Sequence, residues 1–348
     1  MKRFGVRPRR RRAGDVTGYR QAERRLFEAA GIKPRELWVK LPRLGTEARV
    51  LDVGAGDPTL FLHGGPNAAA TWSYLAAATS GLRGLLVERP GTGVSDPLPT
   101  VPGAPTLGRV QEDLTVDVLD ALGLDQAHLV GSSLGGFAAL RSAASHPERV
   151  LRMALLGCPA FVPGWTQPRF FTLLRAPVLG RALVALPPTA GSVRMSLRQL
   201  GHDRSLGAGR IPTPMLEWIR SWQADTPTMA NDAAMIVRCG TWRGGFDPAL
   251  DLDDDLLGRV RAPTLIVAGS DDPVGGEEVA RTLAGRLAHA DVEVMKDAGH
   301  LPWLDDPGRV AELTSSFLVS AGSPVNAVPA ATPQEPDVLP AHSRGATR

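Results

Sequence analysis

The stretch Leu129-Val130-Gly131-Ser132-Ser133-Leu134-Gly135-Gly136 decides the fold of this chain. It places the pattern G-x-S-x-G between an apolar run typical of a buried strand and a segment with a helical pattern. A serine on so sharp a turn has a strained backbone, and Gly131 and Gly135 remove side chains that would collide there. Ser133 is therefore the predicted nucleophile, at the start of a helix that favours negative charge. Ser132 lies at the wrong offset from both glycines.

Short apolar runs alternate with helical patterns on both sides of this turn. The apolar runs lie at 59–62, 84–87, 127–130, 151–156, 264–267 and, more weakly, 292–294. The helical patterns lie at 107–122, 134–145, 276–288 and 307–320. Segments 37–41 and 48–51 are typical of half-buried strands in an antiparallel hairpin at the sheet edge. The alternation predicts an α/β fold with a mostly parallel sheet and helices on both faces.

Residues 159–255 interrupt the alternation and predict an inserted helical lid. This stretch contains no convincing strand and is rich in tryptophan and methionine. Its large apolar side chains are Trp165, Phe170, Phe171, Met195, Met215, Trp218, Trp222, Met229, Met235 and Trp242. They predict a small-molecule substrate that is apolar or aromatic. The alternative is that they pack the lid against itself and the core.

A serine hydroxyl becomes nucleophilic only when a base takes its proton. Of the seven histidines, His300 lies on a loop after the last weak strand, and that loop faces the same crevice as Ser133. The base needs an acid to orient it. Asp272 follows the strand at 264–267 and is the preferred candidate, with Asp271 as the alternative. The competing interpretation is that both aspartates cap the next helix.

An oxyanion hole is expected from two backbone N–H groups. The run Leu62-His63-Gly64-Gly65-Pro66-Asn67 follows a predicted strand, and its small residues let backbone N–H groups approach a developing oxyanion. Gly65 and Leu134 are the predicted pair. His63 is expected to bond the loop and not to act as a second base.

Composition narrows the functional classes. The chain has 348 residues, 43% of them apolar, and a formal net charge of +3. Seven of its 39 basic residues lie within residues 1–12, which leaves 32 basic against 36 acidic residues elsewhere. An acidic body argues against specific nucleic-acid binding. No apolar run is long enough for a membrane span, and the first residues are not typical of a secretory signal.

These observations predict five segments and a cytoplasmic protein. Residues 1–20 are expected to form a disordered basic arm and residues 321–348 a disordered tail rich in proline and alanine. The core is expected in two parts, 21–158 and 256–320, separated by the lid at 159–255. Cys158 and Cys239 are too few for a disulfide framework, which favours a reducing compartment. The oligomeric state is left open.

The chain resembles the α/β-hydrolase family in the order Ser133, Asp272, His300. Other matching segments are His63-Gly64-Gly65-Pro66, the run at 88–96 and Gly299-His300-Leu301-Pro302. The resemblance implies a serine hydrolase that cleaves a small ester or related carbonyl compound through an acyl-enzyme. It implies no metal and no organic cofactor. A serine at the turn argues against the family's epoxide hydrolases and haloalkane dehalogenases, which use aspartate there.

Alternatives within the resemblance remain. The Ser133-Leu134-Gly135-Gly136 turn is similar to that of esterases, haloperoxidase-like enzymes and carbon–carbon bond hydrolases. Proline iminopeptidases share His-Gly-Gly-Pro, but Asn67 and Leu134 depart from their usual pattern. A ligand-binding relative without hydrolytic activity is the remaining alternative.

Overall fold

A computed structural model describes residues 15–175, 180, 182, 184–241 and 245–319. The predicted basic residues 1–12, the predicted tail at 321–348 and Trp242 lie outside the described residues. Among the described residues, no helix is both long and apolar enough to cross a bilayer.

Eight strands form one sheet in the order β1-β2-β4-β3-β5-β6-β7-β8. The strands are Arg35–Leu41 (β1), Thr46–Gly54 (β2), Asp57–Leu62 (β3), Leu82–Val87 (β4), Ala127–Gly131 (β5), Val150–Leu156 (β6), Thr264–Gly269 (β7) and Ala290–Met295 (β8). Strands β3 to β8 run parallel to one another, whereas β2 is antiparallel to both of its neighbours, β1 and β4. The predicted mostly parallel sheet and its antiparallel edge hairpin are confirmed.

The sheet is covered on both faces because the central strands are apolar throughout. Along β3, Leu60 and Leu62 belong to one buried apolar cluster and Phe61 to another. In β5, Leu129 and Val130 divide in the same way between the two clusters. Successive side chains of a strand point to opposite faces, so each cluster fills the space between one face and its helices.

Helices follow most strands. Those outside the long connection between β6 and β7 are Thr17–Ala29 (α1), Ser73–Ala78 (α2), Ala104–Ala121 (α3), Leu134–Ser145 (α4), Glu277–Ala284 (α11), Pro302–Asp305 (α12) and Pro307–Leu318 (α13). Those within it are Arg169–Arg175 (α5), Ala190–Gln199 (α6), Asp203–Gly207 (α7), Thr213–Asp225 (α8), Thr228–Cys239 (α9) and Asp254–Gly258 (α10). Helix α10 spans the boundary predicted at residue 255.

The prediction of a disordered arm over residues 1–20 is wrong for residues 17–20, which are helical. Helix α1 begins at Thr17, and Tyr19 is fully buried. The reason is a buried charge network: Arg49, in β2, pairs with Glu23 of α1 and with Glu88, each at 2.6 Å. The Tyr19 hydroxyl donates to Glu23 at 2.8 Å. Helix α1 is rich in charged residues, but these groups fasten it to the sheet.

We call residues 157–263, between β6 and β7, the helical insertion. Its described regular elements are helices, including a short 3-10 turn at Pro248–Leu250, and one isolated bridge joins Gly240 to Phe246. Helix α8 packs against α1, where Trp218 and Trp222 join the apolar cluster that contains Tyr19. Helix α9 packs against α5 and α3, and Met235 and Cys239 join the opposite cluster. The insertion therefore contacts both sides of the fold.

Candidate active site

Ser133 lies on the turn between β5 and α4 with φ 53° and ψ −119°. Two glycines make that conformation accessible. A Cβ on Gly135 would lie 1.8 Å from the Leu62 carbonyl oxygen, and one on Gly131 would lie 2.6 Å from the Gly135 oxygen. The chain is thus too tightly packed for any side chain at either position. Ser133 remains partly exposed, whereas Ser132 is fully buried.

Asp272 and His300 form a buried pair at the carboxyl ends of β7 and β8. His300 Nδ1 lies 2.9 Å from Asp272 Oδ2 and 3.1 Å from Oδ1. The Val274 N–H donates to Oδ1 at 2.8 Å, and the Cys158 N–H donates to Oδ2 at 3.1 Å. Burial opposes ionisation of this carboxyl, but the charge and hydrogen bond of His300 and the two N–H groups outweigh it. The pKa of Asp272 therefore lies below its ordinary value.

Asp271, the alternative acid, points elsewhere. Its carboxylate accepts from Ser270 Oγ at 3.0 Å and lies 3.5 Å from Arg204 Nε. Its side chain is 35% exposed. Only Asp272 of the two candidates contacts His300 in the described structure.

The loop after β6 joins the two halves of the site. The Cys158 N–H binds Asp272, and two residues later the Ala160 N–H donates to the Ser133 carbonyl oxygen at 3.0 Å. Strand β6 lies between β5 and β7, so the carboxyl ends of all three strands meet at one edge of the sheet. Within the described residues, no hydrogen bond joins Ser133 Oγ to the His300 ring. Catalytic hydrogen bonds often tighten only when substrate binds.

Gly65 and Leu134, the predicted oxyanion pair, line the same cavity as Ser133. In the described part of the chain, the N–H groups of both residues donate no hydrogen bond to the protein. Gly64 lets this loop approach the serine, since a Cβ there would lie 2.9 Å from Ser133 Cβ. Two free N–H donors beside a serine hydroxyl are an arrangement that can stabilise a tetrahedral oxyanion.

His63 binds the loop that carries Gly64 and Gly65. It is fully buried, its Nδ1 lies 2.7 Å from the Gly64 carbonyl oxygen, and its Nε2 accepts from the Arg89 N–H at 3.3 Å. Burial, and then the charge of Arg89, hold the pKa of His63 well below its ordinary value. A neutral ring with both nitrogens engaged inside the protein agrees with the predicted loop-binding role.

A buried ion pair lies between the insertion and this loop. Arg89 Nη2 is 2.8 Å from Asp232 Oδ2 of α9 and donates to the Gly64 oxygen at 3.0 Å. Asp232 is 1% exposed, yet it lines the cavity beside Gly65. Sequence reasoning missed this residue, because no motif marks a single aspartate on a helix of the insertion.

The cavity in front of Ser133 is walled by aromatic and aliphatic side chains. Rings of Phe161, Trp165 and Phe246 lie within 5.8 Å of one another, centroid to centroid. The remaining cavity residues, apart from Ser133, Gly65, Leu134 and Asp232, are Leu107, Ala160, Pro168, Phe171, Met235, Ile236, Cys239 and Val274. Sequence reasoning missed Phe161 and Phe246, which stand in irregular segments without a periodic pattern.

Six of the aromatic and methionine side chains predicted for the lid divide into two groups, and Met195 is exposed. Trp165, Phe171 and Met235 line the cavity. In contrast, Met215, Trp218 and Trp222 pack in the cluster with α1 and belong to the core. Within the described part of the chain, no three histidine, cysteine, aspartate or glutamate side chains are grouped so that they could hold a metal ion.

Comparisons with known proteins agree with this architecture. A family model described as "Alpha/beta hydrolase family" matches residues 59–313. A 2-hydroxy-6-oxononadienedioate/2-hydroxy-6-oxononatrienedioate hydrolase of Paraburkholderia phymatum is 30% identical over 287 residues, covering 79% of this chain and 92% of that protein. A 2-hydroxy-6-oxo-6-phenylhexa-2,4-dienoate hydrolase of Burkholderia cepacia is 28% identical over 284 residues, covering 77% of this chain and 90% of that protein.

Solved structures show the same fold at lower identity. Carboxylesterase CesB (YbfK) from Bacillus subtilis superposes with a TM-score of 0.66 at 20% identity, over 88% of this chain and 99% of that chain. The family model covers most of the chain, and the relatives that it resembles are hydrolases. The protein is therefore an enzyme that belongs to the alpha/beta hydrolase family.

Proposed function

We propose that this enzyme is a serine hydrolase that cleaves an uncharged carboxylic ester with an apolar or aromatic acyl group. The observation that carries the proposal is the common cavity of Ser133, Gly65 and Leu134, whose walls are otherwise almost entirely apolar. The buried pair of Asp272 and His300 lies at the same sheet edge. A mostly apolar pocket with a few convergent polar groups is the usual form of a small-molecule site.

The proposed mechanism follows from these positions. Ser133 Oγ attacks the ester carbonyl carbon while His300 Nε2 takes the hydroxyl proton. Asp272, bound to Nδ1, stabilises the imidazolium that forms. The N–H groups of Gly65 and Leu134 bind the tetrahedral oxyanion. His300 then returns the proton to the departing alcohol, and a water molecule releases the acid from Ser133 by the same steps.

The charge of the cavity favours a neutral substrate. Asp232 is its one charged lining residue in the described part of the chain. The guanidinium that pairs with it, that of Arg89, is already bound to Asp232 and to Gly64. A carboxylate entering this cavity would lose its hydration beside another carboxylate, which costs several kcal/mol.

A carbon–carbon bond hydrolase is the second candidate. Two relatives, at 30% and 28% identity, carry the names of dienedioate/trienedioate and dienoate hydrolases, whose substrates are carboxylates. Such a substrate would suit a cavity with a basic group, and the described lining has none. The two candidates therefore differ in substrate charge: the ester is neutral, whereas the substrate of the carbon–carbon bond hydrolase is a carboxylate.

The first experiment tests the nucleophile. We expect a fluorophosphonate to add once to the wild-type protein and not to Ser133→Ala, measured by intact mass. Ser132→Ala is the matched control, since Ser132 is adjacent but fully buried, and it should label like the wild type. A labelled Ser133→Ala, or an unlabelled wild type, would contradict the mechanism.

The second experiment compares two esters of equal length, phenyl butyrate and the phenyl monoester of succinate. The carboxylate of the second should lower kcat/KM by about 100-fold, equivalent to about 3 kcal/mol. Equal values would remove the charge argument. Turnover of 2-hydroxy-6-oxo-6-phenylhexa-2,4-dienoate above that of phenyl butyrate would replace the ester proposal with carbon–carbon bond hydrolysis.

We also propose that the protein works in a reducing compartment. Cys158 and Cys239 are both buried and unpaired, as expected where disulfides do not form.

A further inference from the structure

A second histidine–aspartate pair lies buried behind the loop that carries His300. His202 Nδ1 is 2.9 Å from Asp305 Oδ2 and 3.1 Å from Oδ1, and Ser205 Oγ donates to Asp305 Oδ1. His202 and Ser205 are fully buried, and Asp305 is 7% exposed. A carboxylate only accepts hydrogen bonds, so Nδ1 of His202 carries a proton. Ser205 bonds the acid and not the base, so this set is not a second nucleophilic site.

This pair binds the backbone of the His300 loop. The Gly299 N–H donates to Asp305 Oδ2 at 2.9 Å, and the Leu301 N–H donates to His202 Nε2 at 3.2 Å. Between them, the His300 N–H donates to the Leu200 carbonyl oxygen at 2.8 Å. Two of these three consecutive N–H groups thus bind the junction between α6 and α7, which is residues 200–202. The third, that of Gly299, binds helix α12. A buried N–H needs a partner, so these contacts determine the path of the loop.

The same junction is packed against the loop without spare room. A Cβ on Gly299 would lie 2.5 Å from the Leu200 oxygen and 2.9 Å from His202 Cε1. Gly201 has φ +88°, and a Cβ there would lie 2.2 Å from the Asp271 carbonyl oxygen. The junction therefore contacts both the His300 loop and the turn that holds Asp272.

We infer that His202 and Asp305 are positioning residues for the hydrolytic step. The inference rests on the proposed role of His300 as the base. Asp272 binds the His300 ring only at Nδ1. The distance from Nε2 to Ser133 Oγ therefore also depends on the position of the His300 backbone. His202 and Asp305 fix that backbone on both sides of His300. His202 belongs to the helical insertion, so the insertion contributes to catalytic geometry as well as to the cavity wall.

The test is His202→Asn. The asparagine amide can donate to Asp305, but it is too short to accept from the Leu301 N–H. We expect kcat to fall about 10- to 100-fold with KM within about twofold, because displacing a catalytic group by about 1 Å costs this much. Fluorophosphonate labelling of Ser133 should slow in proportion, and the acid limb of the pH profile of kcat/KM should shift. Hydrogen exchange of the peptide spanning 299–301 should accelerate.

Arg198→Ala is the matched control. Arg198 lies in the last turn of α6, beside the junction, and pairs with Asp203 at 2.8 Å on the exposed surface. Its removal should therefore leave kcat, pH profile and exchange as in the wild type. A His202→Asn protein with a lower Tm but wild-type kcat and pH profile would overturn the inference, since it would show a structural role alone.

Two further outcomes are decisive. If His202→Asn does not fold, Ser205→Ala provides the test, because it removes one hydrogen-bond donor to Asp305. Its kcat should be about threefold to tenfold below that of the wild type. An unchanged kcat would overturn the inference. If wild-type Ser133 neither labels nor turns over ester, the proposed function fails and the inference falls with it. A labelled wild type beside an equally reactive His202→Asn overturns the inference alone.

Discussion

Replacing Asp272 with asparagine should disable the enzyme by reversing the tautomer of His300. The His300 Nδ1 lies within 3.1 Å of both carboxylate oxygens. An amide nitrogen must take the place of one of them, whichever way the side chain is turned. Facing an N–H donor, Nδ1 becomes the acceptor, and the ring proton moves to Nε2. A protonated Nε2 cannot take the proton of Ser133.

The size of the loss follows from the same contacts. A wrong tautomer in this type of triad lowers kcat about 10,000-fold, or about 5.5 kcal/mol of transition-state stabilisation. Each oxygen also accepts a backbone N–H, from Val274 or Cys158. One of those donors loses its acceptor, which costs about 1–3 kcal/mol of folding stability. The variant should therefore fold with a lower Tm.

The assay is the stopped-flow burst of phenol release from a phenyl ester, recorded from about pH 6 to pH 9. In this range the titration of the Asp272 carboxyl should not affect the folding stability of the wild-type protein. The pKa of folded Asp272 lies below its ordinary 3.8, so the stability it contributes is complete above about 3.8 and is lost only as pH falls through the lower folded value.

Asp271→Asn is the matched control, since Asp271 is partly exposed and contacts Arg204 and not His300. Its kcat should stay within about twofold of wild type. An Asp272→Asn protein that keeps more than about a tenth of kcat would refute the tautomer argument. Equal losses in the two variants would refute the choice of acid.

Two other predictions concern the strand and the loop beside the site. His128 is fully buried, its ring nitrogens have no hydrogen-bond partner in the described structure, and burial lowers its pKa to about 4. The unfolded chain thus binds more protons than the folded chain, and the free energy of unfolding should fall by up to about 3 kcal/mol as pH drops from about 6.5 to 4. In urea unfolding, His128→Leu should show a flatter dependence of this free energy on pH. An unaltered slope would contradict the prediction. Gly157 has φ +75°, and a Cβ there would lie 2.0 Å from the His300 carbonyl oxygen, so Gly157→Ala should displace that loop and lower both kcat and Tm. Wild-type values of both in thermal melts and ester assays would show that the loop adapts.

The local sequence predicted the elements near the nucleophile because their signals are local. The strand, the turn and the helix around Ser133 are adjacent in the chain, and Gly131 is required by the carbonyl oxygen of Gly135 within the same turn. The apolar runs likewise predicted the central strands, since a strand buried on both faces must be apolar throughout. The region around Asp272 and His300 was predicted from the order of the strands alone.

The start of helix α1 could not be predicted from local sequence. Its charged residues are typical of a solvated segment, but Glu23 pairs with Arg49 from a strand 26 positions later. A charge that finds its partner only in the tertiary structure carries no local mark of burial. The prediction therefore placed the start of the ordered chain too late.

The sequence by itself determined the α/β class, the mostly parallel sheet with its antiparallel edge hairpin, and the identity of the candidate nucleophile and base. Only the tertiary structure decided between Asp271 and Asp272, because two adjacent residues differ in direction and not in spacing. It alone placed Asp232 beside Gly65 and His202 behind His300. Both belong to the insertion, where the face of a helix that meets the site depends on contacts among residues distant in the chain.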